Sequence, residues 1–320
     1  MTFGETPTHM ALGHILAHST GGIRKGTTLT QDHLDRLIQQ GFDSIITAHL
    51  APTDLHENDA AGQLADALAA RDIRIATPAT GRVNLYAQTA GLLRLDTAAI
   101  TQLNLVNPMI TLATLPHNAR VAAGTMIATV KIISYGVAAA DIATTTALGA
   151  NALTIARPRF KTAALIETQF DMPPSEKGRT AIKTRLSRLD VTLAPRILVP
   201  HTTQAIARAI GATQADIILI LTASATSDSQ DVAPTAVRQA GGVIDRYGMP
   251  VDPGNLLFLG SLDDTPIIGL PGCARSPALN GADWVLEQVI CGHPPTAKDI
   301  AAMGIGGLLK DIPQRGRPRE

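Results

Sequence analysis

The stretch YGMPVDPGNLLFLGSLDDTPIIGLPGCARSP, Tyr247–Pro277, decides how the second half of this chain is read. Within it Pro266, Ile267, Ile268, Gly269 and Leu270 make a short apolar run bounded by turn residues, the pattern of a strand buried on both faces. Pro271-Gly272 ends the run and leads into a Gly-Pro-rich loop carrying Arg275 and Ser276. The next helix-compatible segment, Ala278–Ile290, has Trp284, Val285, Leu286, Val289 and Ile290 as its apolar positions. It is expected to start just past Ser276 and Pro277, with its unpaired amides pointing back at the loop. A strand, a glycine turn, a guanidinium and a helix start are together what a phosphate or carboxylate needs.

Outward from this stretch the second half alternates. Ala163–Ile166, Arg196–Val199, the run DIILIL at Asp216–Leu221, Val243-Ile244, Leu256–Leu259 and Ile267–Leu270 read as strands. Glu176–Leu189, Thr202–Ile210 and Pro234–Ala240 read as helices, the last stopped by Gly241-Gly242. That order predicts an α/β fold, a three-layer, doubly wound, mostly parallel sheet, in a domain spanning 151–295.

The first half, 1–150, reads as one or two small α+β domains. Thr30–Gln40 is an amphipathic helix carrying Leu34, Leu37 and Ile38, with Thr30 as N-cap and Gly41 in the stop position. Ser44–Ala48 is a strand, and Asp59–Ala70 and Asp96–Leu105 are helices. MITLATLP and MIATVKIIS are β-like, with Pro116-His117-Asn118 as a turn and Gly124 as a bulge. Residues 296–320, ending in the basic PQRGRPRE, read as a C-terminal tail.

Composition narrows the partners. With 27 Lys plus Arg against 27 Asp plus Glu, no net field draws the chain to nucleic acid or an anionic membrane. An aromatic content of 3% removes the stacking platforms of single-stranded nucleic acid binding. No window reaches the length of uninterrupted apolar residues that spans a bilayer. Cys273 and Cys291 make neither a disulfide framework nor a zinc spacing, and no signal segment opens the chain, so a reduced, cytoplasmic protein is expected.

Ligands of open parallel sheets bind beyond the carboxyl ends of the strands. Three polar segments meet that condition: Thr168–Lys177, Thr222–Asp231 and Pro271–Ser276. The second, TASATSDSQD, is dense in hydroxyls, ends in Asp228 and Asp231, and suits a polar heterocycle; its bland alternative is a solvated Ser/Thr loop. For the third, the alternative is a tight turn whose Arg275 pairs with a surface carboxylate. His14 and His18 stand four apart without a third ligand nearby, the reading of structural histidines. GIGGLL follows no strand, and GxSxG, Walker and HExxH patterns are absent from the sequence.

Long strings then carry a resemblance. GMPVDPGNLLFLG and IIGLPGCARSPALNGADWVL, with AHST, RKGTTLT, GFDSIITAHL and DLHENDAAGQLADAL earlier, and GRVNLYAQTAGLLRLD, MITLATLP and MIATVKII between, resemble the molybdopterin-binding region of bacterial molybdenum-cofactor processing proteins. The resemblance covers nearly the whole chain. It implies the molybdopterin-binding α/β domain shared with molybdopterin adenylyltransferase and molybdenumtransferase and often fused to a molybdenum cofactor cytidylyltransferase. The implied ligand is molybdopterin or its nucleotide form. Gly272, Cys273, Arg275 and Ser276 would hold its phosphate, and Thr222, Ser224, Thr226 and Asp231 would address the pterin side. Asp231, with Asp228, would bind a Mg ion. A cytidylyltransferase or a molybdoenzyme is the implied recipient, and a homodimer the implied assembly. Where the wider fold has a Thr-Gly-Gly-Thr-Gly loop, this chain has Thr222, Ala223, Ser224, Ala225 and Thr226, which counts against adenylyltransferase chemistry. Three readings stay open: a binder that hands the cofactor on, a Mg-dependent transferase, and a scaffold for a partner enzyme.

Overall fold

A computed structural model describes residues 1–309 and divides them into two compact units, 1–89 with 93–155, and 90–92 with 156 onward. The PQRGRPRE segment lies outside the described residues.

In the first unit the helix Gln31–Gln39 buries Leu34 and Leu37 on one stripe. Thr30 is its N-cap, bonded through both backbone and hydroxyl to His33, and Gly41 follows at φ +84, a left-handed position suited to glycine. The two leucines pack with Leu16 and Ile45 of a three-stranded antiparallel sheet ordered Thr2–Pro7, Ser44–His49, Ile15–Leu16. A second cluster gathers Leu64 and Leu68 of helix Glu57–Leu68, Leu103 of Thr97–Val106 and Ile142 of Ala139–Gly149. These cover a four-stranded antiparallel sheet, Ile73–Ile75, Arg82–Ala87, Met126–Ile132, Ile110–Thr114. Gly124, expected at a bulge, sits at φ +86 in a turn closed by the Thr125 amide on Ala122 O. The register shift falls later, between Met126 and Ala128. Leu153 and Ile155 are buried in this cluster, which carries the unit past residue 150 to Ile155.

The second unit runs β1 (Thr162–Gln169), α1 (Glu176–Ser187), β2 (Thr192–Leu193), β3 (Ile197–Pro200), α2 (Thr203–Ala212), β4 (Ile217–Leu221), α3 (Val232–Gln239), β5 (Val243–Tyr247), β6 (Phe258–Leu262), β7 (Thr265–Gly269), α4 (Gly281–Ile290) and α5 (Ala297–Ala302). Among the described residues its seven strands form one mixed sheet in the order β2-β1-β4-β7-β6-β5, with β3 also paired to β1. β1 runs parallel to β2, β3 and β4, and β4 parallel to β7. β6 is antiparallel to both β7 and β5, so the reversal comes from the hairpin Leu262–Thr265.

Alternation along the strands separates two cores. Ala163, Leu165, Leu219, Leu221 and Ile268 pack with Ile182 and Leu186 of α1 and Val285, Leu286 and Val289 of α4. Ile166, Ile218, Ile220 and Ile267 pack with Ile206 and Ile210 of α2 and Ala236 and Val237 of α3. Gly269 is required for space: a Cβ there would lie 2.0 Å from the Phe258 ring.

Two further expectations change. The helix start does not present open amides to the Pro271 loop. Gly272–Arg275 forms a single 3-10 turn, and α4 begins only after Asn280, whose side chain accepts the Ala282 amide at 2.9 Å. Asp283 accepts the Asn280 amide at 2.8 Å, and the Gly281 amide goes to Pro253 O at 2.8 Å. The capping box moves the start downstream and satisfies its donors. Nor do the first residues after 295 form a tail: Thr296 and Asp299 cap α5, and Ile300 is buried in the first of the two cores.

Candidate functional site

The carboxyl ends of β1, β3, β4 and β7 lie side by side because those strands are parallel neighbours, and the polar segments beyond them meet there. Arg275 is at the centre. It lines a cleft of ≈ 460 Å³ with Thr168, Phe170, Asp171, Met172, Ser175 and Ala223, and a second of ≈ 550 Å³ with Glu176, Lys177, Thr180, Thr184 and Ser276. Its guanidinium donates to the backbone carbonyls of Thr222 and Gly272, and no carboxylate among the described residues pairs with it. Burial pushes its pKa below the ordinary value, and the carboxylate of Glu167 pulls it back up. Gly178 on α1 makes the room: a Cβ there would stand 3.1 Å from Arg275 Cγ.

The loop is held from beneath by a residue the sequence reading passed over. Arg185 donates to Asp283 Oδ1 at 2.6 Å, Ala274 O at 2.9 Å, Ser276 O at 2.7 Å and Ala278 O at 2.9 Å. Both charges are buried, Arg185 at 5% exposure and Asp283 at 2%. A signal existed, since Arg185 falls on the apolar stripe of Ile182, Leu186 and Leu189, where an arginine needs buried partners. Ser276 is exposed, and its hydroxyl oxygen accepts the Ala278 amide at 3.2 Å, leaving its proton to donate. Gly272 is exposed and Cys273 half-buried on the same turn.

The Thr222–Asp231 loop is tied from within. Thr222 Oγ1 donates to Ser224 O at 2.6 Å and lies 3.3 Å from Thr226 Oγ1, both threonines being buried. Tyr247 donates to Thr226 O at 2.9 Å, and burial, with Asp228 and Asp231, raises its pKa. Ser224 is the exposed hydroxyl of the set. Asp231 is the N-cap of α3: one oxygen accepts the Ser227 amide at 3.0 Å and the other the Val232 amide at 2.7 Å. Those amides hold its pKa below the usual carboxylate value, with a further contribution from His201. Asp228 accepts the Gln230 amide at 2.7 Å. Among the described residues no group of three or more His, Cys, Asp or Glu is placed to hold a metal ion. Each Asp231 oxygen spends one lone pair on an amide and keeps the other.

Around the first cleft Arg196 bridges Glu167 at 2.9 Å and Pro174 O at 2.9 Å and pairs with Glu176. Glu167 is buried and Glu176 exposed; the Nε–Oε2 approach to Glu167 is close but not aligned as a hydrogen bond. The Phe170 ring meets His201 edge-on at 4.9 Å. His14 stacks on His49 at 4.3 Å in the first unit, and its Nδ1 bonds Thr47 Oγ1 at 2.9 Å, a structural pairing. No helix of the described residues is long and apolar enough to cross a membrane.

No protein-family model matches the chain, and no curated protein matches it. Among solved structures, the molybdopterin biosynthesis MoeA protein from Pyrococcus horikosii is similar at 12% identity, over 91% of this chain and 75% of that one, with a TM-score of 0.34. NadC from Streptococcus pyogenes is similar at 11% identity, over 56% of this chain and 86% of that one, with a TM-score of 0.17. At these TM-scores neither backbone superposes closely enough to place a side chain.

Proposed function

We propose that this chain binds molybdopterin, or a nucleotide form of it, during maturation of the molybdenum cofactor and hands it to a nucleotidyltransferase or an apo-molybdoenzyme. The ligand class comes from the sequence resemblance; the observation that carries the site is Arg275. Its guanidinium reaches two clefts, is held by carbonyls and makes no ion pair with a carboxylate among the described residues, so an anionic ligand can serve as its counter-charge. In this reading Arg275, Ser276 and the Gly272-Cys273 turn hold the phosphate. Ser224 addresses the pterin, while Thr222 and Thr226 shape the loop from inside.

Binding is favoured over transfer chemistry. Side chains at Ala223, Ser224 and Ala225 take space that a glycine loop would leave for close backbone approach. Asp231 has both oxygens engaged by amides. Incubation with molybdopterin, CTP or ATP, molybdate and magnesium separates the two readings, since a binder forms neither pyrophosphate nor a metal adduct.

A charge-assisted hydrogen bond contributes about 1.5–3 kcal/mol, so Arg275→Ala should weaken molybdopterin binding by roughly one to two powers of ten. Calorimetric titration giving the parent affinity in that variant would remove the site assignment.

A further inference from the structure

Thr168, near the end of β1, is sealed from solvent, and its hydroxyl meets two partners. Ala223 N lies 2.7 Å from Oγ1 and His201 Nδ1 lies 2.9 Å from it. The Ala223 amide and the Thr222 carbonyl are the two ends of one peptide unit, and that carbonyl accepts from Arg275 Nη2. One chain of hydrogen bonds therefore runs from Arg275 through the peptide and Thr168 to His201, crossing the ends of four parallel strands.

Two of the three links have a fixed direction. Arg275 donates to Thr222 O, and the Ala223 amide donates to Thr168 Oγ1. The buried hydroxyl has one proton, and in the tautomer that leaves His201 Nδ1 without a proton that nitrogen accepts it. In that tautomer all the donors point the same way, the head-to-tail alignment in which hydrogen bonds polarise one another. The peptide plane is gripped at both ends, and the Phe170 edge holds the imidazole from the side.

From this geometry we infer that His201 is a positioning residue of the ligand site: through Thr168 and the Thr222–Ala223 peptide it sets the place of the Arg275 guanidinium. The inference rests on the reading that Arg275 holds the ligand's phosphate, but the relay itself can be measured without ligand. His201 acts here as the terminal acceptor. An asparagine at this position carries Oδ1 where Nδ1 stands and keeps that role, whereas leucine removes it.

The test uses four variants of the full chain, His201→Leu, His201→Asn, Thr168→Val and Thr168→Ser, compared by amide hydrogen exchange at Ala223, the Arg275 Nε NMR signal and calorimetric titration with molybdopterin. Without ligand, His201→Leu and Thr168→Val should speed Ala223 exchange about tenfold and shift the Arg275 signal, and both should weaken molybdopterin about tenfold. The Asn and Ser variants should stay close to the parent in all three readouts. This rescue separates positioning from general loosening. Parent-like exchange and an unshifted Arg275 signal in His201→Leu would overturn the inference, as would a His201→Asn variant as impaired as the leucine one. If the exchange and Arg275 signals behave as stated while the parent fails to bind molybdopterin, the ligand reading falls and the relay stands.

Discussion

Replacing Arg185 with methionine removes the clamp under the Pro271 loop. The substitution keeps most of the side-chain volume but leaves Asp283 as a buried carboxylate without its cation and the carbonyls of Ala274, Ser276 and Ala278 without their donor. Breaking a buried ion pair from one side costs about 3–5 kcal/mol, a large share of the roughly 5–15 kcal/mol that holds a domain folded. Asp283 also caps α4 through the Asn280 amide, so removing it instead adds the loss of a cap, about 1 kcal/mol. Urea unfolding followed by the fluorescence of Trp284, the chain's single tryptophan and the neighbour of Asp283, reports on this unit directly. Arg185→Met, Asp283→Asn and the double variant form a cycle, and the pair should couple by at least about 1 kcal/mol. Arg185→Lys, which keeps a charge but loses the planar fork, should fall between parent and methionine. A loss below about 1 kcal/mol in Arg185→Met, or additive single effects, would refute the claim that this pair holds the loop.

Three further outcomes follow from other positions. Gly178→Ala should leave thermal unfolding unchanged or slightly improved, since alanine suits a helix interior, yet weaken molybdopterin binding by crowding Arg275, 3.1 Å from the new Cβ; titration beside a melting curve checks it. Gly269→Ala should cost more than about 1–3 kcal/mol in urea unfolding, because its Cβ would overlap the Phe258 ring. His14 is held below its ordinary value of 6.5 by burial and by His49, so the folded unit favours the neutral ring. Its contribution is present above that value and is lost as the pH falls through the lowered pKa. His14→Gln should therefore flatten the acid-side dependence of first-unit stability, measured by circular dichroism in denaturant at a series of fixed pH values.

Much of the architecture is legible in local pattern. DIILIL and PIIGL are too uniformly apolar for anything but central strands, and the helices around Ile182, Ile206 and Val285 show the stripe that two cores require. The polar loops follow from the same reading, because a parallel strand must end in a connection over the sheet edge. Arg275 stood out for the same reason. Pattern places the helix start just past Pro277, whereas the decisive signal, Asn280 with Asp283 three residues later, lies beyond the proline that marks a helix start.

The sequence by itself determined the layers, the loops at the strand ends and the cation placed in one of them. Those features depend on residues close in the chain, where spacing and turn chemistry act directly. The tertiary structure alone decided how that cation is used. Arg185 meets Asp283 98 residues away, and Thr168 meets Ala223 55 residues away. Neither pairing has a periodicity, because a hydrogen bond between strand ends depends on which strands are neighbours in the sheet. His201 enters the site only because β3 and β4 both pair with β1, which brings an imidazole and a loop amide to the same threonine hydroxyl.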